Sequence, residues 1–311
     1  MSHPAGITRR RFLAATGATA ALGLLGAGRV RGAEPPAVRT RPIPSTGEPI
    51  PVIGMGTWIT FNVGRDAVAR EDRTEVLRTF FELGGGMIDS SPMYGSSEAV
   101  VGYGLERLGY PRGLFSATKV WTPSKSEGPG QVADSERLWG VDRLDLEQVH
   151  NLVSWRDHLD MLLAMKAEGR IRHVGITTSH GRRHAELERI MRSRPLDFVQ
   201  ASYSAENREV EDRILPLAAD RGIAFIANRP FRQSALIDRM KRHPLPDWAA
   251  EVDCANWAQL LLKFIVSHPA VTCAIPATRR VDHMRENMGA MQGVLPDEAM
   301  RLRIARHVAG L

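Results

Sequence analysis

The sequence predicts an α/β fold: a (β/α)8 TIM barrel with an N-terminal β-hairpin before it and an extra C-terminal helix after it. Three observations predict it. From Val52 onward, eight short apolar runs alternate with longer amphipathic ones, the pattern of a parallel sheet covered on both faces. None of the eight runs contains a proline, as central strands require. No Gly-x-Gly-x-x-Gly follows the first run, which disfavours an open dinucleotide-binding sheet and leaves the closed barrel, a fold of about 250 residues.

The elements follow in order. Arg41–Glu48 holds Pro-Ser-Thr-Gly between extended runs and reads as the hairpin. The strand-like runs are Val52–Met55, Met87–Asp89, Leu114–Thr118, Leu144–Val149, Val174–Thr177, Phe198–Ala201, Ile223–Ala227 and Val271–Ile275. Helical periodicity marks Asp72–Leu83, Ser97–Leu108, Gln131–Gly140, Trp155–Glu168, Arg182–Arg192, Glu209–Arg221, Asn256–His268 and Arg280–Met291. Arg229–Asp247 is expected to be an irregular insertion, and Pro296–Val308 to be the extra helix.

Charge separates the first 33 residues from the rest. The chain of 311 residues carries 41 Lys+Arg against 35 Asp+Glu, a net +6. Five of the arginines (Arg9, Arg10, Arg11, Arg29, Arg31) and no acid lie in residues 1–33, leaving 36 basic against 35 acidic residues beyond them. The near-neutral body is not expected to bind nucleic acid. Thr8-Arg9-Arg10-Arg11-Phe12-Leu13 precedes a mildly apolar Ala/Gly run from Ala14 to Gly28. That run is shorter than the roughly 20 residues that span a bilayer, so no stable transmembrane span is expected. The segment resembles a twin-arginine export signal. The resemblance implies a signal peptide over 1–33, a barrel over 34–311, the twin-arginine export machinery as partner, and a periplasmic or exported location. With Arg31 before Ala33, an uncleaved, membrane-tethered form is the alternative. Cys254 and Cys273 are expected to be buried free thiols.

In such a barrel the chemistry sits at the C-terminal strand ends. Asp89 ends the second strand and Tyr94 follows it; Lys119 ends the third, and His150 the fourth. A phenol with a reference pKa near 10 is a poor acid unless a cation favours its phenolate. Lys119 supplies the charge, Asp89 holds the ammonium, and His150 donates a second hydrogen bond to a substrate oxygen. A carbonyl held between Tyr94 and His150 still lacks a hydride, which no side chain supplies, so a nicotinamide is implied. His180-Gly-Arg-Arg-His184 lacks the Glu and third ligand of a zinc site and reads as a solvated helix start; no metal is expected.

Gly54-Met-Gly-Thr-Trp58, Asp89…Tyr94-Gly95, Thr118-Lys119-Val-Trp121, Gly175-Ile-Thr177, Gln200, Pro230 and Asn287 together resemble the aldo-keto reductases, over Arg41 to Gln292. The resemblance implies a catalytic tetrad of Asp89, Tyr94, Lys119 and His150. It implies a nicotinamide nucleotide, NADP(H) favoured over NAD(H), held by Gly56, Thr57, Thr177, Gln200, Asn228, Arg229, Pro230, Thr278, Arg279 and Asn287. Thr178 shares the carboxamide role with Thr177. Thr278 is expected to cap the last barrel helix, and Arg279 or Arg280 to pair a 2′-phosphate. Trp58 and Trp121 are expected to wall the substrate site.

Two positions depart from the family pattern: Asn228 stands where an aromatic often meets the nicotinamide, and Ala277, Thr278 and His283 replace a Lys-Ser…Arg set. The expected activity is reduction of an aldehyde or ketone to an alcohol, or the reverse, with Tyr94 as general acid or base. The alternative is an exported cofactor-holding sensor or partner subunit with little turnover, since a periplasm has no evident means of recycling the nucleotide. A lyase using Lys119 as a Schiff-base amine leaves Tyr94 and His150 without a role.

Overall fold

The hairpin forms because Ile43 and Gly47 close a tight turn. Ile43 N donates to Glu48 O and Gly47 N to Ile43 O, both at 2.8 Å. Gly47 takes φ 76°, a left-handed conformation that glycine adopts without strain. The flanking strands β1 (Thr40–Pro42) and β2 (Pro49–Pro51) pair antiparallel, Arg41 opposite Ile50. This is a computed structural model, describing residues 38–311; the expected leader and its boundary with the barrel lie outside the described residues.

Eight parallel strands follow: β3 (Met55–Gly56), β4 (Met87–Asp89), β5 (Phe115–Val120), β6 (Leu146–Val149), β7 (His173–Thr177), β8 (Phe198–Ser202), β9 (Ala224–Asn228) and β10 (Cys273–Ala274). Each pairs with its sequence neighbour, and the bridges Ile53↔Ala274 and Gly56↔Ala277 close the ring. Ile43 and Ile50 of the hairpin pack with Met87, Phe115, Leu146, Phe198, Ala224 and Cys273, the first inward residues of six strands. Burying an isoleucine is worth about 1.5–3 kcal/mol, which holds in place a hairpin too small to be stable alone. The hairpin therefore plugs the N-terminal end, and the opposite end stays open.

The helices are α1 (Ala67–Glu82), α2 (Ser97–Leu108), α3 (Gly128–Trp139), α4 (Trp155–Ala167), α5 (His184–Ser193), α6 (Ile214–Asp220), α7 (Ala235–Met240), α8 (Trp257–Val266), α9 (Val281–Gly289) and α10 (Glu298–Ala309). Three depart from the sequence expectation for identifiable reasons. α1 begins five residues early because Asp66 caps it, accepting from Ala69 N at 2.9 Å; its first turns are polar and carry no periodic signal. The expected Glu209–Arg221 helix is split into a 3-10 turn at Glu209–Glu211 and α6. Pro216 lacks an N–H and fits only in a first helical turn, so the helix restarts just before it. The insertion expected to be irregular contains α7. Cys254 and Cys273 are buried and free, and burial pushes their thiols up to about 11 and about 12. No helix among the described residues is long and apolar enough to cross a membrane.

Candidate active site

Side chains alternate along a strand, so every second residue faces the barrel interior, and these residues change character from bottom to top. Phe115, Ala117 and Lys119 succeed one another on β5, Met87 and Asp89 on β4, Leu146 and Gln148 on β6, and Phe198 and Gln200 on β8; the apolar members of each pack in the lower core. Apart from His173, the first residue of β7, which is buried in the lower core beside Phe115 and Phe198, polar groups thus collect mainly at the open end. Gly175 on β7 makes room for them, because a Cβ there would sit 3.0 Å from both Gln148 Cγ and Phe198 O.

Asp89 is the hub. Its Oδ2 accepts from Lys119 Nζ at 2.6 Å, and its Oδ1 accepts from Gln200 Nε2 at 2.9 Å and Gln148 Nε2 at 3.3 Å. Lys119 also donates to Ser90 O at 2.6 Å. Burial alone pushes the Lys119 pKa down, but Asp89 and Tyr94 outweigh it and the net shift is upward. The ammonium is therefore retained, fixed 5.2 Å from the centre of the Tyr94 ring. Tyr94 ends a 3-10 turn, Pro92–Tyr94, capped by Ser91. Its ring meets the His150 ring edge-on at 5.7 Å and 86°. His150 is buried and, by burial first and Lys119 second, lowered to about 2, so its ring is neutral across the physiological range. The four residues that sequence reasoning grouped are brought together at one mouth.

The Tyr94 phenol departs from expectation in sign. Burial raises its pKa, and Lys119 opposes that shift without reversing it. Lys119 therefore limits how weak an acid Tyr94 becomes rather than making it a strong one.

A cavity of about 360 Å3 opens above this set. Asp89, Tyr94 and His150 reach it, as do Gly56, Thr57, Trp58, Thr177, Gln200, Asn228, Arg229, Pro230, Thr278 and Asn287. Five expected residues do not, Thr178 and Arg280 among them. Lys119 is buried behind Tyr94; Arg279 is exposed outside the wall. Trp121 points to solvent, 41% exposed, its backbone N–H held by Gln131 rather than its indole by the cavity. Ile59, Met93 and Phe231 supply apolar wall instead. Ile59, 66% exposed at φ 64°, is a β-branched residue in the left-handed region, a strained conformation typical of functional loops. His180, expected to be solvated, also faces the cavity. Among the described residues, no cluster of three His, Cys, Asp or Glu side chains is placed to hold a metal.

Asn228, the departure from an aromatic, has a defined role in the network. Its Nδ2 donates to Thr178 O at 2.9 Å and Gln200 Oε1 at 3.2 Å, and its Oδ1 accepts from Ser202 at 2.8 Å. It thereby orients Gln200 toward Asp89. Thr278 does not cap α9: the cap position is Arg280, and Thr278 Oγ1 accepts from the Arg280 N–H at 3.1 Å. Arg280 is itself paired by Asp282, Nε to Oδ1 at 2.9 Å, whereas Arg279 makes no ion pair among the described residues.

The wall fits a nicotinamide nucleotide. Thr177 and Gln200 line the cavity, and behind them Thr178 Oγ1 is a buried polar atom without a partner among the described residues. At the other side Arg229 lies beside Arg182 and Arg232; its pKa is lowered by burial and then by those two cations. Of the three, Arg229 lines the cavity and Arg232 is paired with Glu206, so Arg229 is a cation placed at a concave wall, where an anion is favoured.

Two functional groups escaped sequence reasoning. Gln148 was findable, since it lies two residues before His150 on the same strand face. Ser91 precedes Pro92, the pattern of a capped turn.

The fold and the mouth together define a barrel oxidoreductase. The aldo/keto reductase family model matches residues 52–305. The methylglyoxal reductase YeaE of Escherichia coli is 26% identical over 248 residues, covering 78% of this chain and 86% of that protein. An NADH-specific methylglyoxal reductase of the same organism is 27% identical over 247 residues, covering 67% and 72%. Among solved structures, an aldo/keto reductase of Klebsiella pneumoniae in complex with NADP and acetate superimposes with a TM-score of 0.70 at 24% identity, covering 84% of this chain and 93% of that one. The chain belongs to the aldo/keto reductase family, and with it to the NAD(P)-dependent oxidoreductases that reduce carbonyl compounds.

Proposed function

We propose that this chain reduces a small aldehyde or ketone, with Tyr94 as the proton donor. The observation that carries the reading is the edge-on Tyr94–His150 pair at 5.7 Å, open to the cavity and backed by the Lys119–Asp89 ion pair. A carbonyl oxygen between the two rings accepts a hydrogen bond from each, which withdraws electrons from its carbon. The nicotinamide, when bound, supplies the hydride. As negative charge develops on the oxygen, the Tyr94 proton moves to it, and the fixed Lys119 ammonium stabilises the phenolate left behind. In the reverse direction Tyr94 is the base. Trp58, Ile59 and Met93 form the apolar side of the substrate space. Methylglyoxal is the first substrate to test, because two relatives are named for it.

Tyr94→Phe keeps the ring and removes the proton. It should lower kcat by roughly 10²–10⁴-fold while leaving NADPH binding, read by fluorescence, within a factor of about two. A fully active Tyr94→Phe enzyme overturns the reading.

Thr177, Thr178 and Gln200 would hold the carboxamide. Gln200 has both amide protons directed at Asp89 and Gln148, so it would serve as an acceptor. Gly56 and Thr57 lie beside this end, Asn228, Arg229 and Pro230 beside the pyrophosphate, and Thr278, Arg279 and Asn287 at the adenosine. NADP(H) is the favoured nucleotide, since the Klebsiella neighbour is an NADP complex; the NADH-specific relative makes NAD(H) the alternative. Arg279 is the arginine available to a 2′-phosphate. Arg279→Ala should weaken NADPH binding about tenfold, about 1.4 kcal/mol, and leave NADH binding unchanged. Equal losses for both nucleotides would remove Arg279 from that role.

We further propose, from the twin-arginine resemblance, that the chain is exported.

A further inference from the structure

The contact between Ser91 and His150 is used by none of the roles above. Ser91 is fully buried and caps the turn that carries Tyr94. Its Oγ accepts from Met93 N–H at 3.2 Å, and its carbonyl accepts from Tyr94 N–H at 2.9 Å. The same Oγ lies 2.8 Å from His150 Nδ1.

A neutral imidazole carries one N–H, on either Nδ1 or Nε2. With the proton on Nδ1, Ser91 Oγ would receive two N–H donors and its own proton would lose this acceptor in a buried site. Nε2 would then turn a lone pair toward the carbonyl oxygen. With the proton on Nε2, the Ser91 hydroxyl donates to Nδ1, Met93 N–H donates to Ser91, and Nε2–H is free to donate to substrate. Only the second arrangement pairs all these groups, and leaving a buried polar group unpaired is costly. Burial and Lys119 keep the ring neutral, so the tautomer decides whether His150 is a donor.

We propose that Ser91 is a positioning residue that locks His150 in its Nε2–H tautomer while holding the turn that presents Tyr94, so that both donors to the carbonyl oxygen are set from one side chain. The proposal rests on the carbonyl-reductase reading for its kinetic consequence and on the Ser91–His150 geometry alone for its tautomer.

The test is 15N NMR of the full chain labelled at histidine, with His150 assigned by its loss in His150→Asn, alongside methylglyoxal reduction with NADPH. Wild type should show Nδ1 unprotonated and Nε2 protonated from about pH 6 to about pH 9. Ser91→Ala should mix the tautomers and lower kcat about tenfold, with KM and NADPH affinity little changed. Ser91→Thr keeps the hydroxyl at an extended backbone (φ −168°, ψ 147°) that suits a β-branched residue; it should restore both readouts. A wild-type His150 protonated on Nδ1, or a Ser91→Ala enzyme with tautomer and kcat unchanged, overturns the proposal. A tautomer shift in Ser91→Ala from a protein that reduces no carbonyl supports the coupling and defeats the proposed function instead.

Discussion

Tyr94 and His150 are both tuned by burial and the Lys119 ammonium, acting on opposite kinds of group, and Asp89 adds to the rise at the phenol. For the imidazole both act downward, and its pKa falls to about 2. For the phenol they oppose each other, burial prevails, and the pKa rises above 10.0. The signs fix the pH dependence. Reduction needs protonated Tyr94, which persists below its raised pKa, and neutral His150, which persists above its lowered one. The kcat for reduction should therefore be flat from about pH 6 to about pH 9 and decline only above about pH 10. Alcohol oxidation needs the phenolate and should rise toward that same alkaline range. A pH–rate profile with an acidic limb near the ordinary histidine value of about 6.5 would show that His150 titrates, against this account. At this scale the four principal residues were legible because each type serves one part of the chemistry and each lies at a strand end. The phenol shift was not legible, since it depends on how far the surrounding strand ends remove the Tyr94 hydroxyl from water.

At the scale of elements, the strands were easier to read than the helices' ends. A strand buried on both faces is mostly apolar, and Met87–Asp89 needed no correction, whereas the first strand, expected at Val52–Met55, forms only at Met55–Gly56. Caps and breaks depend on single residues such as Asp66 and Pro216, whose effect is settled by geometry. The last helix, α10, shows how an outer element is fastened. Arg301 donates to Tyr203 OH at 2.7 Å, to Glu211 Oε1 at 2.8 Å and to Phe264 O, and its guanidinium lies 4.6 Å from the Phe264 ring centre. These contacts tie α10 to α8 and to the segment after β8. Removing one partner of such a buried, hydrogen-bonded charge is expensive, although Glu211 keeps Arg208. Arg301→Ala should cost roughly 2–4 kcal/mol in urea unfolding, and Arg301→Met, which keeps an apolar stem over Phe264, should cost less. A loss for Arg301→Ala below about 0.5 kcal/mol, the range of an ordinary surface change, would show that α10 is held by its apolar face alone.

For the whole molecule, the hairpin closes one end of the barrel and the chemistry occupies the other, a polarity visible in sequence as apolar strand starts and polar strand ends. The basic pI belongs to a different part of the chain. Five arginines of the net +6 lie in residues 1–33, and beyond them the charge nearly balances, which gives the body no general attraction for nucleic acid. If those arginines are an address, they act through a receptor that reads Arg9-Arg10 followed by Phe12-Leu13, and their positive charge alone is not sufficient. Arg9→Lys with Arg10→Lys keeps the charge and removes the guanidinium pair, so it separates the two explanations. Expressed as the full chain in a bacterium with twin-arginine export, wild type should place NADPH-dependent reductase activity in the periplasmic fraction. The double lysine variant should retain the same total activity, confined to the cytoplasm. An unchanged distribution would mean that the arginines serve charge only, or that the leader is not an export signal, and the localisation proposal would fall.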